Sequence, residues 1–153
     1  MAEPETVYRD AKGRLCADTR FRVRYFETDR MGVVHHASYI GWFEEGRSAF
    51  TRALGYPYAQ MEADGIGLAV TELAARYLHP ARYDEEVVVS TFLQAMRSRE
   101  LTFGYEVHRA ADRVLLATGV TRLISVDGAG QACRLPEGLR RRTTAALSTE
   151  AST

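Results

Sequence analysis

Cysteine is scarce in this chain: Cys16 and Cys133 are the only two among 153 residues. They lie far apart with no paired spacing, which argues against a disulfide scaffold. They read as reduced thiols of a cytosolic protein. No activating motif stands beside either, so catalysis by cysteine is not expected. Net charge is lacking too. Twenty basic residues balance twenty acidic ones, and without a basic excess the chain does not read as a general nucleic-acid binder. No apolar run approaches the roughly 18–20 residues of a membrane span. The polar stretch from Met1 to Asp18 has no signal-peptide apolar core. Internal repeats and low-complexity linkers are absent. What remains is ordinary for a soluble globular domain, 46% hydrophobic and 26% charged. Such a length reads as one domain that buries about 68–70% of its unfolded surface.

Arg20 to Phe26 alternates charge with apolar bulk. That predicts a half-buried strand with Phe21, Val23 and Tyr25 on its covered face. Gly32 interrupts the pattern, and Ser38 is an N-cap residue type. From there Tyr39, Trp42, Phe43, Gly46, Ala49, Phe50 and Ala53 recur three and four apart. The spacing predicts one long helix with a wide buried stripe. Gly55 fits the position just past its end, with Pro57 beyond. A short helix is expected around Tyr58 to Ala63. Four extended stretches follow, over 68–78, 86–95, 101–107 and 114–126. A short basic helix begins at Pro136 and frays after Thr144. Four consecutive strands joined by tight turns should be antiparallel, and the long helix needs a sheet to cover its stripe. The expected fold is α+β, a curved antiparallel sheet of about five strands around one central helix. It occupies residues 18–135, with a polar extension over 1–17 and a short helix and tail over 136–153.

The stretch from Glu27 to Tyr39 carries the chemistry. It places Asp29 and the pair His35-His36 around a glycine turn at a helix start, where backbone N–H groups are free and the helix dipole is positive. A carboxylate beside such a site can act on a carbonyl whose oxygen sits on those donors. Read alone, Asp29 is more readily a turn cap or a partner of Arg24 or Arg30 than a catalytic group. Adjacent histidines rarely reach one ion, and no His-Glu-x-x-His or paired-cysteine spacing exists, so no metal is expected. Tyr39, Trp42, Phe43 and Phe50 read as core. Glu44, Glu45 and Arg47 read as a charge set on the helix surface. Arg140-Arg141-Arg142 reads as a charge set at a helix C-terminus.

The run Tyr25-Phe26-Glu27-Thr28-Asp29, Gly32-Val33-Val34-His35-His36-Ala37-Ser38-Tyr39, Phe43-Glu44 and Arg47 resembles the hotdog-fold acyl-CoA thioesterases, in the 4-hydroxybenzoyl-CoA thioesterase and YbgC-like branch. A weaker, structural match is the run Arg76-Tyr77-Leu78-His79-Pro80-Ala81-Arg82-Tyr83-Asp84-Glu85-Glu86, with the family's Pro-Ala-Arg-Tyr-Asp turn between strands. The resemblance covers roughly residues 18–127 and implies a hotdog fold. Asp29 stands where the family keeps its catalytic carboxylate, as nucleophile or as general base on water. His36 stands where the family has a histidine or tyrosine whose backbone N–H polarises the thioester carbonyl. Gly32, Val33, His35 and Tyr39 would line the substrate pocket. Arg97-Ser98-Arg99 occupies the place of the pyrophosphate contacts of coenzyme A, with Arg82 a weaker candidate. Read from the residues, Arg97 and Arg99 are equally a solvated strand face. Glu100 departs from the pattern, since a serine is expected there. Glu72 resembles a glutamate of many YbgC-like members and would reach the neighbouring subunit's site; read from the residues, it is equally an ion-pair partner.

The resemblance implies an acyl-CoA thioesterase that needs no cofactor, since coenzyme A is part of the substrate. It implies a homodimer, doubled to a tetramer, in the cytoplasm. A hotdog dehydratase would use a differently placed histidine and glycine-proline loops, which are not found. A non-catalytic acyl-CoA sensor would keep the basic groove and lose the carboxylate. A plain oligomerising domain would leave Asp29 and His36 without a task.

Overall fold

The computed structural model describes residues 6–149. Its elements in chain order are strands β1 (Tyr8–Arg9) and β2 (Leu15–Arg22), helices α1 (Ser38–Ala53) and α2 (Tyr58–Ala63), strands β3 (Gly67–Tyr77), β4 (Glu86–Met96), β5 (Glu100–Arg109) and β6 (Leu115–Val126), and helix α3 (Glu137–Ser148). One antiparallel sheet runs in the order β1-β2-β4-β5-β6-β3. The α+β expectation holds, with α1 packed on the sheet.

Several local expectations give way. The sheet has six strands, because a two-residue β1 pairs with the start of β2 at Tyr8–Cys16 and Arg9–Leu15. Both begin inside the stretch read as a polar extension. The strand expected over Arg20 to Phe26 ends at Arg22, and Tyr25–Glu27 forms a 3₁₀ turn. The cause is Glu27, which accepts from the Arg24 backbone N–H at 2.8 Å and curls the chain. Tyr25 is therefore 78% exposed, not covered. Ser38 does not cap α1. It is the first helical residue, after Ala37, and its hydroxyl donates to the Glu27 carbonyl at 3.0 Å. Strand β3 does not join β4 by a tight turn. It crosses to the far edge and pairs with β6, from Gly67–Val126 to Tyr77–Ala117. Helix α3 runs on to Ser148, so Arg140 to Arg142 sit in its middle turns and not at its C-terminus.

The apolar stripe of α1 forms the core. Trp42, Phe43, Ala49 and Phe50 are buried. Phe43 stacks on Tyr105 at 4.5 Å, and Phe50 meets Phe103 edge-on at 5.3 Å. Such pairs add about 0.5–1.5 kcal/mol beyond area burial. Gly46 lets the helix sit close on β4: a Cβ there would lie 2.3 Å from Thr91 Oγ1. Arg47 overturns the surface-charge reading. It follows Gly46 on the sheet-facing side and is only 8% exposed.

Candidate active site

The segment that leads into α1 is a small closed loop. The Asp29 N–H donates to the Val33 carbonyl at 2.8 Å, and the Gly32 N–H donates to the Asp29 carbonyl at 3.0 Å. The Asp29 side chain accepts the Met31 N–H at 2.8 Å. Gly32 takes φ +79, a left-handed conformation that glycine adopts without strain. The loop is tied to the body on both sides. Val34 N–H donates to Ala81, and His35 N–H to Glu27, each at 2.8 Å.

Asp29 and His36 line one cavity of about 310 Å³, with Val33, Tyr39, Tyr77 and His79 among its other walls. Asp29 is half-buried and makes no ion pair among the described residues; Arg24 is engaged by Glu27 instead. The His36 carbonyl accepts the Tyr77 hydroxyl at 2.8 Å. The His36 backbone N–H makes no hydrogen bond among the described residues. It stands two residues before α1, at the positive end of the helix dipole. The rings of His35 and His36 stack at 4.2 Å. His35 Nδ1 accepts the Ala37 N–H at 3.0 Å. Burial pushes the Tyr39 hydroxyl up to about 12, so it stays a neutral O–H. Tyr77 and His79 are wall residues that sequence reading missed. Both stand in the matched run from Arg76 to Glu86, which assigns neither a place in the site.

Glu27 is the buried carboxylate of this region, 4% exposed. It accepts from Arg24 Nε at 3.0 Å, Arg24 Nη2 at 2.9 Å and Trp42 Nε1 at 2.6 Å. Burial alone would raise its pKa. The hydrogen bonds from Arg24 and Trp42 outweigh burial and hold it below the usual carboxylate range. Its own carbonyl receives both the His35 N–H and the Ser38 hydroxyl. Glu27 therefore sets the Asp29–His36 loop against the first turn of α1.

The other sequence candidates lie apart from this cavity. Gly32 shapes its loop and does not line the cavity; His35 is exposed beside it. Glu72 is exposed on β3 and pairs with Arg122 at 3.3 Å, and Arg122 also holds Glu100 at 3.4 Å. Arg97, Ser98 and Arg99 form the exposed β4–β5 turn. Its backbone is pinned by Ser125 N–H to Arg99 and Leu135 N–H to Ser98, each 2.8 Å. Arg82 is exposed, and its N–H donates to Glu85 at 2.6 Å. Cys16 and Cys133 are free. Burial pushes the Cys16 thiol up to about 12, too weak an acid to serve as a thiolate nucleophile.

Residues 23–143 match the family model of the thioesterase-like superfamily. A putative acyl-CoA thioesterase, YneP of Bacillus subtilis, is 38% identical over 89 residues, 58% of this chain and 64% of that protein. This chain thus matches less than two thirds of that relative's length. The acyl-CoA thioester hydrolase YbgC of Escherichia coli O6:H1 is 31% identical over 106 residues, 69% of this chain and 78% of that protein. Among solved structures, the hypothetical protein TT1821 of Thermus thermophilus superposes with a TM-score of 0.79 at 43% identity, covering 84% of this chain and 98% of its own. A DHNA-CoA thioesterase of Staphylococcus aureus gives 0.79 at 31% identity, covering 85% and 91%.

Proposed function

We propose that this chain, which belongs to the thioesterase-like superfamily, hydrolyses acyl-CoA thioesters to a free carboxylic acid and CoA. The observation that carries the reading is the shared cavity. It holds a half-buried carboxylate, Asp29, together with His36, whose N–H has no partner among the described residues and stands at the head of α1.

The thioester carbonyl oxygen sits on the His36 N–H. Asp29 takes a proton from water as the oxygen adds to the carbonyl carbon. Negative charge builds on the carbonyl oxygen, where one well-placed donor is worth about 2.7–4 kcal/mol. The intermediate collapses, the C–S bond breaks, and the departing thiolate is protonated. In the covalent variant Asp29 itself attacks, and water then cleaves the mixed anhydride. A single turnover in ¹⁸O-water bears on the choice: label found in Asp29 requires an anhydride cleaved at the Asp29 carbonyl, whereas direct water attack labels only the product acid.

Arg97 and Arg99 carry the phosphates of CoA from the β4–β5 turn. Strand β3 is a sheet edge with exposed Val70, Leu73 and Tyr77. An unpaired edge of this kind needs covering, and a second copy pairing along it gives the homodimer we infer, doubled to a tetramer, with Glu72 near the seam. No helix among the described residues is long and apolar enough to cross a membrane; the free cysteines fit a cytoplasmic setting. The test is free-thiol release from a panel of aliphatic and aromatic acyl-CoAs. Release from at least one supports the hydrolase. CoA-ester binding with no release from any would make the protein a sensor.

A further inference from the structure

A second cavity of about 320 Å³ opens where α1, α2 and the start of β3 meet. Arg47, Tyr58, Met61, Ile66 and Leu68 line it, and the carboxylates of Glu44 and Glu62 stand at exposed positions on its rim. Arg47 is the unusual wall. It is more than nine-tenths buried, and its Nε has no hydrogen-bond partner among the described residues. Its charge lies against two tyrosine hydroxyls. Burial pushes Tyr58 up to about 12, and Arg47 acts in the opposite direction on it and on Tyr105. A buried guanidinium without a counter-ion is costly to keep. It presents fork-like donors suited to a carboxylate.

This cavity and the Asp29 cavity are separate, and they lie toward opposite ends of α1 and β3. On α1, Ile40, Glu44 and Arg47 recur at four and three, one stripe that starts beside His36. On β3, Tyr77 packs its ring on Tyr39 at one end, at 5.1 Å, and Leu68 lines the Arg47 cavity at the other. Alternation along the strand, with the register shift between Val70 and Glu72, puts Val70 and Leu73 on that same face. Ile40, Val70 and Leu73 are exposed apolar side chains on this flank of α1 and β3, which the inferred second copy would roof over. From Tyr39 to Arg47 the helix rises about 12 Å. Apolar side chains between the Asp29 cavity at one end and a buried cation at the other fit an acyl chain with a hydrocarbon middle and an acidic tip.

Building on the thioester hydrolase reading, we propose that the acyl groups this protein prefers carry a carboxylate at their far end, and that Arg47 is the specificity residue that receives it. The exposed Glu44 and Glu62 are screened by solvent and salt, and the buried Arg47 is not.

The test compares suberyl-CoA and sebacyl-CoA with octanoyl-CoA and decanoyl-CoA on the native full chain. In parallel, calorimetry measures binding of the uncleavable ω-carboxyalkyl and n-alkyl thioethers of CoA at equal chain length. The expected result is a preference for the acid-tipped member of about tenfold or more in kcat/KM and in Kd. Arg47→Met brings that ratio to about one, and Arg47→Lys keeps part of it. Equal or better use of the n-alkyl chains by the native protein overturns the proposal without any variant. A ratio unchanged in folded Arg47→Met overturns it as well. If nothing is hydrolysed while the acid-tipped thioether still binds tighter through Arg47, the subsite stands and the hydrolase reading falls.

Discussion

The carboxylate of Glu27 accepts the indole N–H of Trp42 at 2.6 Å, joining the Asp29–His36 loop to the buried face of α1. Replacing it by glutamine removes the charge that Arg24 and the indole satisfy. Glu27→Gln is expected to lose about 1–3 kcal/mol in denaturant unfolding at neutral pH. The folded pKa of Glu27 lies below its ordinary value of 4.5. Its stabilisation is therefore fully present above about 4.5 and fades as pH falls through the depressed folded pKa. Native protein should lose stability on that acid limb, and Glu27→Gln should lose less there. Parallel acid limbs in the two proteins would remove Glu27 from this role.

Gly46 faces Thr91 with no room for a side chain. Gly46→Ala gains helix propensity of about 1 kcal/mol but must displace β4 or the Thr91 hydroxyl. Overpacking of this sort costs about 1–3 kcal/mol. The variant is expected to melt below the native protein. A higher melting temperature would mean that α1 and the sheet are not in close contact at this point.

Tyr77 holds the His36 carbonyl from the edge strand. The bond is exposed, so Tyr77→Phe should scarcely alter stability. Its effect belongs on the orientation of the His36 peptide, with kcat falling about two- to tenfold, the worth of one ordinary hydrogen bond. Unaltered kcat would place the bond outside the reaction.

Arg97 and Arg99 stand free in solvent, where single charge contacts are worth about 0.2–1 kcal/mol and are screened by salt. Arg97→Ala with Arg99→Ala should raise KM for acyl-CoA with kcat unchanged, and should flatten the salt dependence of KM. N-acetylcysteamine thioesters, which lack the phosphates, should not distinguish variant from native. Equal KM for acyl-CoA in both proteins would move the phosphates elsewhere.

The long helix was legible because Tyr39, Trp42, Phe43, Ala49 and Phe50 repeat a period that only one buried face explains. The strand ladder from Glu86 to Val126 was legible through alternation and turn residues. Order in the sheet was not. The sequence does not reveal that β3 pairs with β6, since that pairing spans 40 residues and more and leaves no local mark. Alternation also misled at Tyr25, where one carboxylate, Glu27, bends the chain. Asp29 and His36 were found by motif, and the structure puts them in one cavity. Arg47 was misread because three-and-four spacing shows which residues share a face but not how deep a flanking cation sinks. Tyr77 and His79 reach the cavity from a strand end some 40 residues away from His36; the matched run from Arg76 to Glu86 contains both, but neither spacing nor motif ties them to His36.

Asp29 is the group proposed to drive thioester cleavage. The most direct measurement is single-turnover CoA release by Asp29→Asn beside native protein, on the best substrate of the panel, with thermal melting to confirm that both are folded. A loss of about 100-fold or more in the chemical step is expected. Cleavage at the native rate by folded Asp29→Asn would contradict that role.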